Sequence, residues 1–159
     1  MTLELAQDVL LAIFALTVMV TDFRWQRIPN VVTYPTILLG LALSVLEGFP
    51  GAPLGGGLVD HLLATAIAFV GLYPLYSSRA MKAGDVKLLM AVGALRGTAF
   101  LFWSFVYGAV LGGLVAALYI LYQRFLRGRG LAEVLRTFIP YGVSLAAGAL
   151  LALAGRVGR

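Results

Sequence analysis

The sequence predicts an all-α integral membrane protein, a bundle of about six transmembrane helices with both termini outside. Three observations predict this fold class. The chain of 159 residues is 61% hydrophobic and only 12% charged, whereas soluble domains carry about 25% charged residues. Its apolar residues fall into six runs, most of them close to the length of about 20 residues that a membrane helix needs. Lysine and arginine collect in alternate loops, which is typical of a polytopic membrane protein.

Segments 1 to 3 are delimited by the loops between them. Segment 1 ends just before Asp22, and Pro29 predicts a break before segment 2 because proline fixes its own φ and disfavours helix at the preceding residue. Pro35 then falls in the first turn of segment 2, where proline is tolerated. The glycine- and proline-rich stretch 47–60 favours turns. These segments are predicted at residues 3–20, 31–46 and 61–76.

Segments 4 to 6 follow, and the first of them is short. Segment 4 begins at Asp85 or Val86 and stays apolar only to residue 95, which is too short for an ordinary span. It therefore either continues past Gly97 or enters the membrane only partway. Segment 5 carries Gly108 and Gly112, a pair of small residues that lets another helix approach closely. The predicted ranges are 85–95, 98–122 and 138–154.

The distribution of positive charge predicts the topology. The loops after segments 1, 3 and 5, with Lys87 counted in the second of them, hold nine of the twelve lysines and arginines. The positive-inside rule places these loops in the cytoplasm and both termini outside. Asp22 and Asp85 then both lie at the cytoplasmic face. The N-terminus lacks the features of a secretory signal peptide, so segment 1 is expected to be retained.

Composition also excludes several classes of function. The chain has no cysteine and one histidine, which excludes thiolate metal sites and disfavours an imidazole-rich one. We therefore expect no metal and no cofactor, and we interpret His61 as an interfacial residue. The net charge of +5 is explained by cytoplasmic loops that meet anionic lipid, so membrane lipid is an expected partner and nucleic acid is not.

Asp22 and Asp85 are the candidate catalytic residues. A carboxylate at membrane depth costs about 3 kcal/mol on insertion scales, so two of them at the same face suggest a functional pair. Two carboxylates held close share one proton. The ionised member can take a proton from an attacking water while the protonated member donates to a peptide carbonyl.

Simpler interpretations of the same residues exist. Asp22 could be a helix-end residue paired with Arg24 or Arg27. Asp85 could be an N-cap, which is a common role for aspartate. Lys87 would ordinarily extend toward the membrane interface and anchor its helix.

Three motifs in this order resemble the prepilin peptidase (type IV leader peptidase) family of membrane aspartyl proteases. They are Asp22 with Arg27-Ile28-Pro29-Asn30, then Ala83-Gly84-Asp85-Val86-Lys87-Leu88-Leu89, and then Pro140-Tyr141-Gly142.

The resemblance implies a single transmembrane aspartyl peptidase domain over residues 1–159. Such an enzyme removes the basic leader peptide from type IV prepilins or pseudopilins at the cytoplasmic face of the bacterial inner membrane. It implies that Asp22 and Asp85 are catalytic. Six further residues would shape the loops or face the substrate, namely Arg27, Pro29, Asn30, Lys82, Gly84 and Lys87.

Two departures from the family pattern refine these expectations. Lys82 stands where the family usually has the first glycine of Gly-x-Gly-Asp. The chain has no cysteine, whereas the longer members carry paired cysteines in an N-terminal domain, so we expect the short, peptidase-only form without methyltransferase activity. Two rival hypotheses are a non-catalytic pilus-assembly scaffold, which Lys82 motivates, and a small transporter that uses Asp22 and Asp85 as proton or cation sites.

Overall fold

Helices account for nearly all of the part of the chain that the computed structural model describes, which comprises residues 3–49, 51, 56–79, 81–126 and 141–155. Five α-helices and no strands occur in these ranges. The helices are α1 (Leu3–Trp25), α2 (Asn30–Glu47), α3 (Leu58–Ser77), α4 (Ala83–Leu126) and α5 (Tyr141–Ala154). Four of them are long and apolar enough to cross a membrane, at Leu3–Trp25, Asn30–Glu47, Leu58–Ser77 and Ala83–Phe125. Six separate spans and outside termini remain predictions.

Helix α4 contains both predicted segments 4 and 5, with a break between them at Gly97. This residue has φ 74° and ψ −172°, a left-handed conformation that glycine adopts without the clash a Cβ would cause. The expected boundary between the two segments is therefore confirmed. Residues 83–96 form one helical stretch, and residues 98–126 form the next.

Three predicted boundaries were wrong. Helix α1 continues to residue 25 rather than ending at residue 20, so Asp22 lies inside the helix and not after its end. Helix α3 begins at Leu58 rather than at residue 61, so Asp60 lies in its first turn and not in the preceding loop. Helix α2 begins at Asn30, which places Pro35 in the second turn instead of the first. The predicted start of segment 6 and the arginine-rich loop before it lie outside the described residues.

The stretch 83–96 of α4 is the centre of the bundle. Leu89, Ala91, Ala94 and Leu95 are completely buried, and α2, α3 and α5 all pack against α4. In the second half of α4, a Cβ added to Gly108 would lie 2.8 Å from the Cα of Leu145 in α5. The close helix approach expected at Gly108 is therefore present.

One buried stripe runs the full length of α1 and links the two ends of the bundle. Its members recur every three or four residues, which places them on one helical face. They are Gln7, Leu11, Phe14, Ala15, Val18, Thr21 and Asp22. The stripe is apolar in the middle and polar at both ends, so polar side chains are buried at each end of the bundle.

Candidate active site

A cavity of about 640 Å³ opens at one end of the bundle, where α1 ends and α2 and α4 begin. Asp22 and Asp85 both line it, together with the loop residues 25–30 that join α1 to α2 and the residues 82–84 that open α4. We call this end of the molecule the dyad end. The topology therefore brings together two carboxylates that lie far apart in the sequence.

Asp22 is directed into the bundle because it continues the buried stripe of α1. Its side chain is only 3% exposed, and its Oδ2 accepts a hydrogen bond of 3.1 Å from the backbone N–H of Val143. Val143 lies in the first turn of α5, where backbone N–H groups have no partner within the helix and the helix dipole is positive. The start of α5 thus provides a donor for negative charge on Asp22.

Gly142 and Ile28 make this approach possible, and sequence reasoning left both out of the candidate site. A Cβ on Gly142 would lie 2.7 Å from Oδ2 of Asp22 and 3.1 Å from Cδ1 of Ile28. A Cβ on Gly84 would meet the Cβ of Ile28 at 3.2 Å. Ile28 therefore fills the space between the starts of α4 and α5. The signals available in the sequence were the glycine in Pro140-Tyr141-Gly142 and the apolar residue before Pro29.

Asp85 is positioned by the first turn of its own helix. It is 4% exposed, and its Oδ2 accepts a hydrogen bond of 3.2 Å from the backbone N–H of Lys82. The N–H of Asp85 donates in turn to the carbonyl of Lys82 at 3.1 Å. Lys82 is thus the N-cap residue, and Asp85 occupies the third helical position, where an acid reaches back to the cap N–H. The interpretation of Asp85 as the N-cap itself was wrong by three residues.

The two carboxylates lie close enough to interact electrostatically, and the charge of Lys82 acts on both of them. Each receives a backbone N–H bond on Oδ2. Both also line the cavity, where a water molecule and a substrate have room to enter. The two acids therefore line one cavity and lie close enough for the charge of one to act on the other.

Two side-chain contacts to Asp22 that the sequence suggested are not formed. Among the described residues, neither Arg24 nor Arg27 makes an ion pair with Asp22. Arg24 instead lies over the ring of Trp25, with 5.6 Å between the guanidinium carbon and the ring centroid. Both arginines are exposed, so Asp22 is not held as half of a surface salt bridge.

Lysines and the start of α2 form the rim of the cavity. Lys82 Nζ donates to the backbone carbonyl of Gln26 at 3.3 Å, which ties the start of α4 to the end of α1. Lys87 Nζ donates to Oδ1 of Asn30 at 2.9 Å and lies 4.9 Å from the ring centroid of Tyr34. Lys87 therefore links α4 to α2, in addition to any contact with the membrane interface.

The other three predicted site residues also line the cavity. Pro29 is the N-cap of α2, with an extended backbone at φ −68° and ψ 136°. Arg27 is exposed beside it, and Gly84 faces Ile28. All eight predicted site residues therefore contribute to one cavity. Across the described part of the chain, no group of three or more His, Asp and Glu side chains is arranged to hold a metal ion.

A second buried polar cluster lies at the opposite end of the bundle, which we call the clamp end. His61, expected at the membrane interface, is instead 2% exposed. Its Nδ1 donates to the carbonyl of Ala94 at 2.8 Å, and its Nε2 lies 2.9 Å from Oε2 of Glu47. Asp60 accepts a 2.6 Å hydrogen bond from the hydroxyl of Thr98.

These contacts hold the break in α4. In an unbroken helix the carbonyl of Ala94 would accept the N–H of Thr98. At the break, His61 binds that carbonyl and Asp60 accepts the Thr98 N–H at 3.3 Å. The clamp end is thus a structural site. In the sequence, the adjacent residues Asp60 and His61 are the only indication of it.

Fold and site together define a helical membrane protein with a buried pair of aspartates at one end. The type IV leader peptidase family model matches residues 9–117, which is more than half of the chain and includes both aspartates. The chain belongs to the type IV leader peptidase family. A search of curated proteins found no match, and neither did a search of solved structures.

Proposed function

We propose that the chain is an aspartyl endopeptidase of the bacterial cytoplasmic membrane that removes the basic leader from type IV prepilins or pseudopilins. Membership of the type IV leader peptidase family supports leader peptidase activity in general. The observation that carries the finer proposal is the shared cavity, into which two buried aspartates from distant parts of the chain both project. The dyad end faces the cytoplasm in this proposal, as the positive charge of its loops favours.

The proposed reaction uses Asp22 and Asp85 as one acid–base unit. One carboxylate takes a proton from a water molecule as its oxygen attacks the scissile carbonyl carbon. The other, protonated, carboxyl donates its proton to the carbonyl oxygen, which gives a neutral tetrahedral intermediate. As this intermediate collapses, the carboxyl group that took the water proton passes it to the departing amine, the C–N bond breaks, and the other carboxylate takes a proton from a hydroxyl group of the intermediate. No metal or thiol takes part in these steps.

The backbone donors at the two carboxylates suit this role. The N–H groups of Val143 and Lys82 each occupy one carboxylate oxygen, so each side chain is held in one orientation. Both carboxylates line the cavity, which has room for water or substrate. Positioning of this kind is worth several kcal/mol in the transition state when the reacting atoms are held at about 3 Å.

Cleavage by charge-neutral variants tests the proposal. We would purify the full chain and the Asp22→Asn and Asp85→Asn variants, insert each into lipid vesicles with a tagged type IV prepilin, and follow leader removal by mass. Asparagine keeps the shape and one acceptor oxygen of aspartate but cannot exchange the proton. We expect a loss of at least about 10³-fold in rate for either variant, since both members of an acid–base pair are needed.

The matched control is Glu4→Gln, which removes an exposed carboxylate in the first turn of α1 at the clamp end. It should cleave at the wild-type rate. Undiminished cleavage by Asp22→Asn or Asp85→Asn would refute the dyad. Absence of cleavage by the wild type, with activity appearing after Lys82→Gly, would instead favour the pilus-assembly scaffold derived from the peptidase.

A further inference from the structure

A second groove lies directly beside the dyad cavity, on the flank of the bundle between α2, α3 and α4. It encloses about 370 Å³. Val86 is buried and Met90 half-buried, so α4 forms the floor, while exposed aromatic side chains form the sides. The aromatic residues are Tyr34 of α2 and Phe69, Tyr73 and Tyr76 of α3. We call this feature the aromatic groove.

The aromatic groove adjoins the dyad cavity. Ala83 and Lys87 line both. The same first turn of α4 that positions Asp85 therefore separates the two spaces. A chain bound over Asp85 that runs past Lys87 therefore reaches the aromatic groove next.

The sides of the groove form a regular ladder. Phe69, Tyr73 and Tyr76 are spaced by four and three residues, which places them on one face of α3. Their neighbouring ring centroids lie 6.4 Å and 6.2 Å apart, within the range of favourable aromatic pairs. From residue 69 to residue 76 the helix rises by about 10 Å, or two turns. All three rings are roughly half exposed, so the face is open to a partner.

The positive charge at the rim of the dyad cavity indicates that substrate affinity arises in the aromatic groove and not in the cavity itself. The cations Arg27, Lys82 and Lys87 line the described rim of the cavity, while Asp22 and Asp85 are buried beneath them. A basic leader gains little from such a rim, because like charges repel. The part of the substrate that has a complementary surface nearby is its apolar part.

We propose that the aromatic groove binds the first two turns of the apolar helix that follows the scissile bond of the substrate. The inference rests on the proposed function, since the resemblance to the prepilin peptidase family implies a cut just before the hydrophobic helix of the substrate. The scissile bond then lies over Asp22 and Asp85, and the substrate helix runs along the ladder of α3 into the membrane. Close packing, not water exclusion, supplies the affinity, because the competing occupant is lipid.

A different apolar groove, away from the dyad cavity, offers a control for the aromatic groove. It encloses about 330 Å³, is lined by Ile67, Phe102 and Phe105 among other apolar residues, and includes neither aspartate. Phe102 is 60% exposed, close to the 52% of Phe69. A variant at Phe102 therefore removes an equally accessible ring from a groove that is not connected to the dyad cavity.

Kinetics in vesicles test the proposal in the first instance. Phe69→Ala/Tyr73→Ala should raise the KM for a membrane-embedded prepilin by about tenfold while kcat stays within about twofold, since lost contacts of this kind weaken binding. Phe102→Ala should leave both constants unchanged. Equal effects of the two variants, or a loss of kcat alone with KM unchanged, would overturn the proposal.

Crosslinking separates this inference from the proposed function. In the Asp22→Asn/Asp85→Asn background, Tyr73→p-benzoyl-phenylalanine is irradiated in vesicles with the same purified prepilin, beside Phe102→p-benzoyl-phenylalanine. A covalent adduct between position 73 and the apolar helix of the prepilin supports the groove, even if cleavage itself is not observed. Adducts only to lipid or to a second copy of the chain, or equal adducts at position 102, would overturn it.

Discussion

Both ends of the bundle bury carboxylates, but they give them different partners. At the clamp end, Asp60 accepts hydrogen bonds from the Thr98 side chain and backbone, and His61 connects Glu47 to Ala94. At the dyad end, Asp22 and Asp85 each accept a backbone N–H and otherwise face a cavity. The same residue type thus closes a helix break at one end and lines an open space at the other.

The comparison separates two uses of a buried carboxylate in a small membrane bundle, one that stabilises the fold and one that is suited to a reaction. A buried carboxylate is costly unless its lone pairs are satisfied. The clamp end satisfies them with side chains that join α2, α3 and α4, so the charge contributes to structure. The dyad end satisfies them in part with backbone N–H groups of helix N-termini, which orient the carboxylates on the wall of the cavity. We infer that the first arrangement stabilises the fold and that the second carries the reaction.

The largest effect is expected from breaking the clamp end. Asp60→Ala removes the acceptor of the Thr98 hydroxyl and N–H at a buried position, so it should lower the free energy of unfolding by about 3 kcal/mol. Denaturant unfolding in detergent micelles, followed by circular dichroism, measures this change. Glu4→Ala, an exposed acid at the same end, serves as the control and should change stability by less than about 0.5 kcal/mol. A similar loss in both variants would contradict a structural role for Asp60.

A nearly equal effect, on activity instead of stability, is expected from Gly142→Ala at the dyad end. The added Cβ would lie 2.7 Å from Oδ2 of Asp22, so the carboxylate must move away from the start of α5. Misplacement of a catalytic group by about 1 Å can cost about 10²-fold in rate. Prepilin cleavage in vesicles measures the rate, and unfolding in micelles should shift by less than about 1 kcal/mol.

Gly113→Ala provides the comparison for that experiment, since a Cβ there meets no atom within 4 Å. It should cleave normally. If Gly142→Ala also cleaved at the wild-type rate, the contact between α5 and Asp22 would have no part in the reaction.

The smallest effect is expected from the residue that departs from the family pattern. Lys82→Gly removes one exposed hydrogen bond to the Gln26 carbonyl and one charge near both carboxylates. A single exposed bond is worth less than about 1 kcal/mol, so cleavage should change by no more than about fivefold. Arg79→Gln, a charge change in the same loop, is the control for net charge. A rise of more than about tenfold with Lys82→Gly alone would show that lysine impairs the enzyme.

Sequence alone predicts the helical class and the end of one apolar segment and the start of the next on either side of Gly97, because these depend on local hydropathy. The residues that line the cavity follow from the three motifs that resemble the prepilin peptidase family. Contacts between distant residues are not encoded in that local pattern. The bond from Val143 to Asp22 spans 121 positions, and the contacts of the buried His61 come from two other helices, α2 and α4. The contact of Gly142 with Asp22 and the hydrogen bonds of the clamp end were therefore not predicted, although the residues themselves are apparent in the sequence.

The most direct test of this account measures cleavage per folded molecule for one variant from each end. Asp85→Asn and Asp60→Ala are placed in the same vesicles with the same prepilin, and the folded fraction of each is determined by limited proteolysis. We predict that Asp85→Asn stays folded and loses cleavage, whereas the folded fraction of Asp60→Ala cleaves at close to the wild-type rate. Cleavage by Asp85→Asn, or its loss in folded Asp60→Ala, would contradict the division between the two ends.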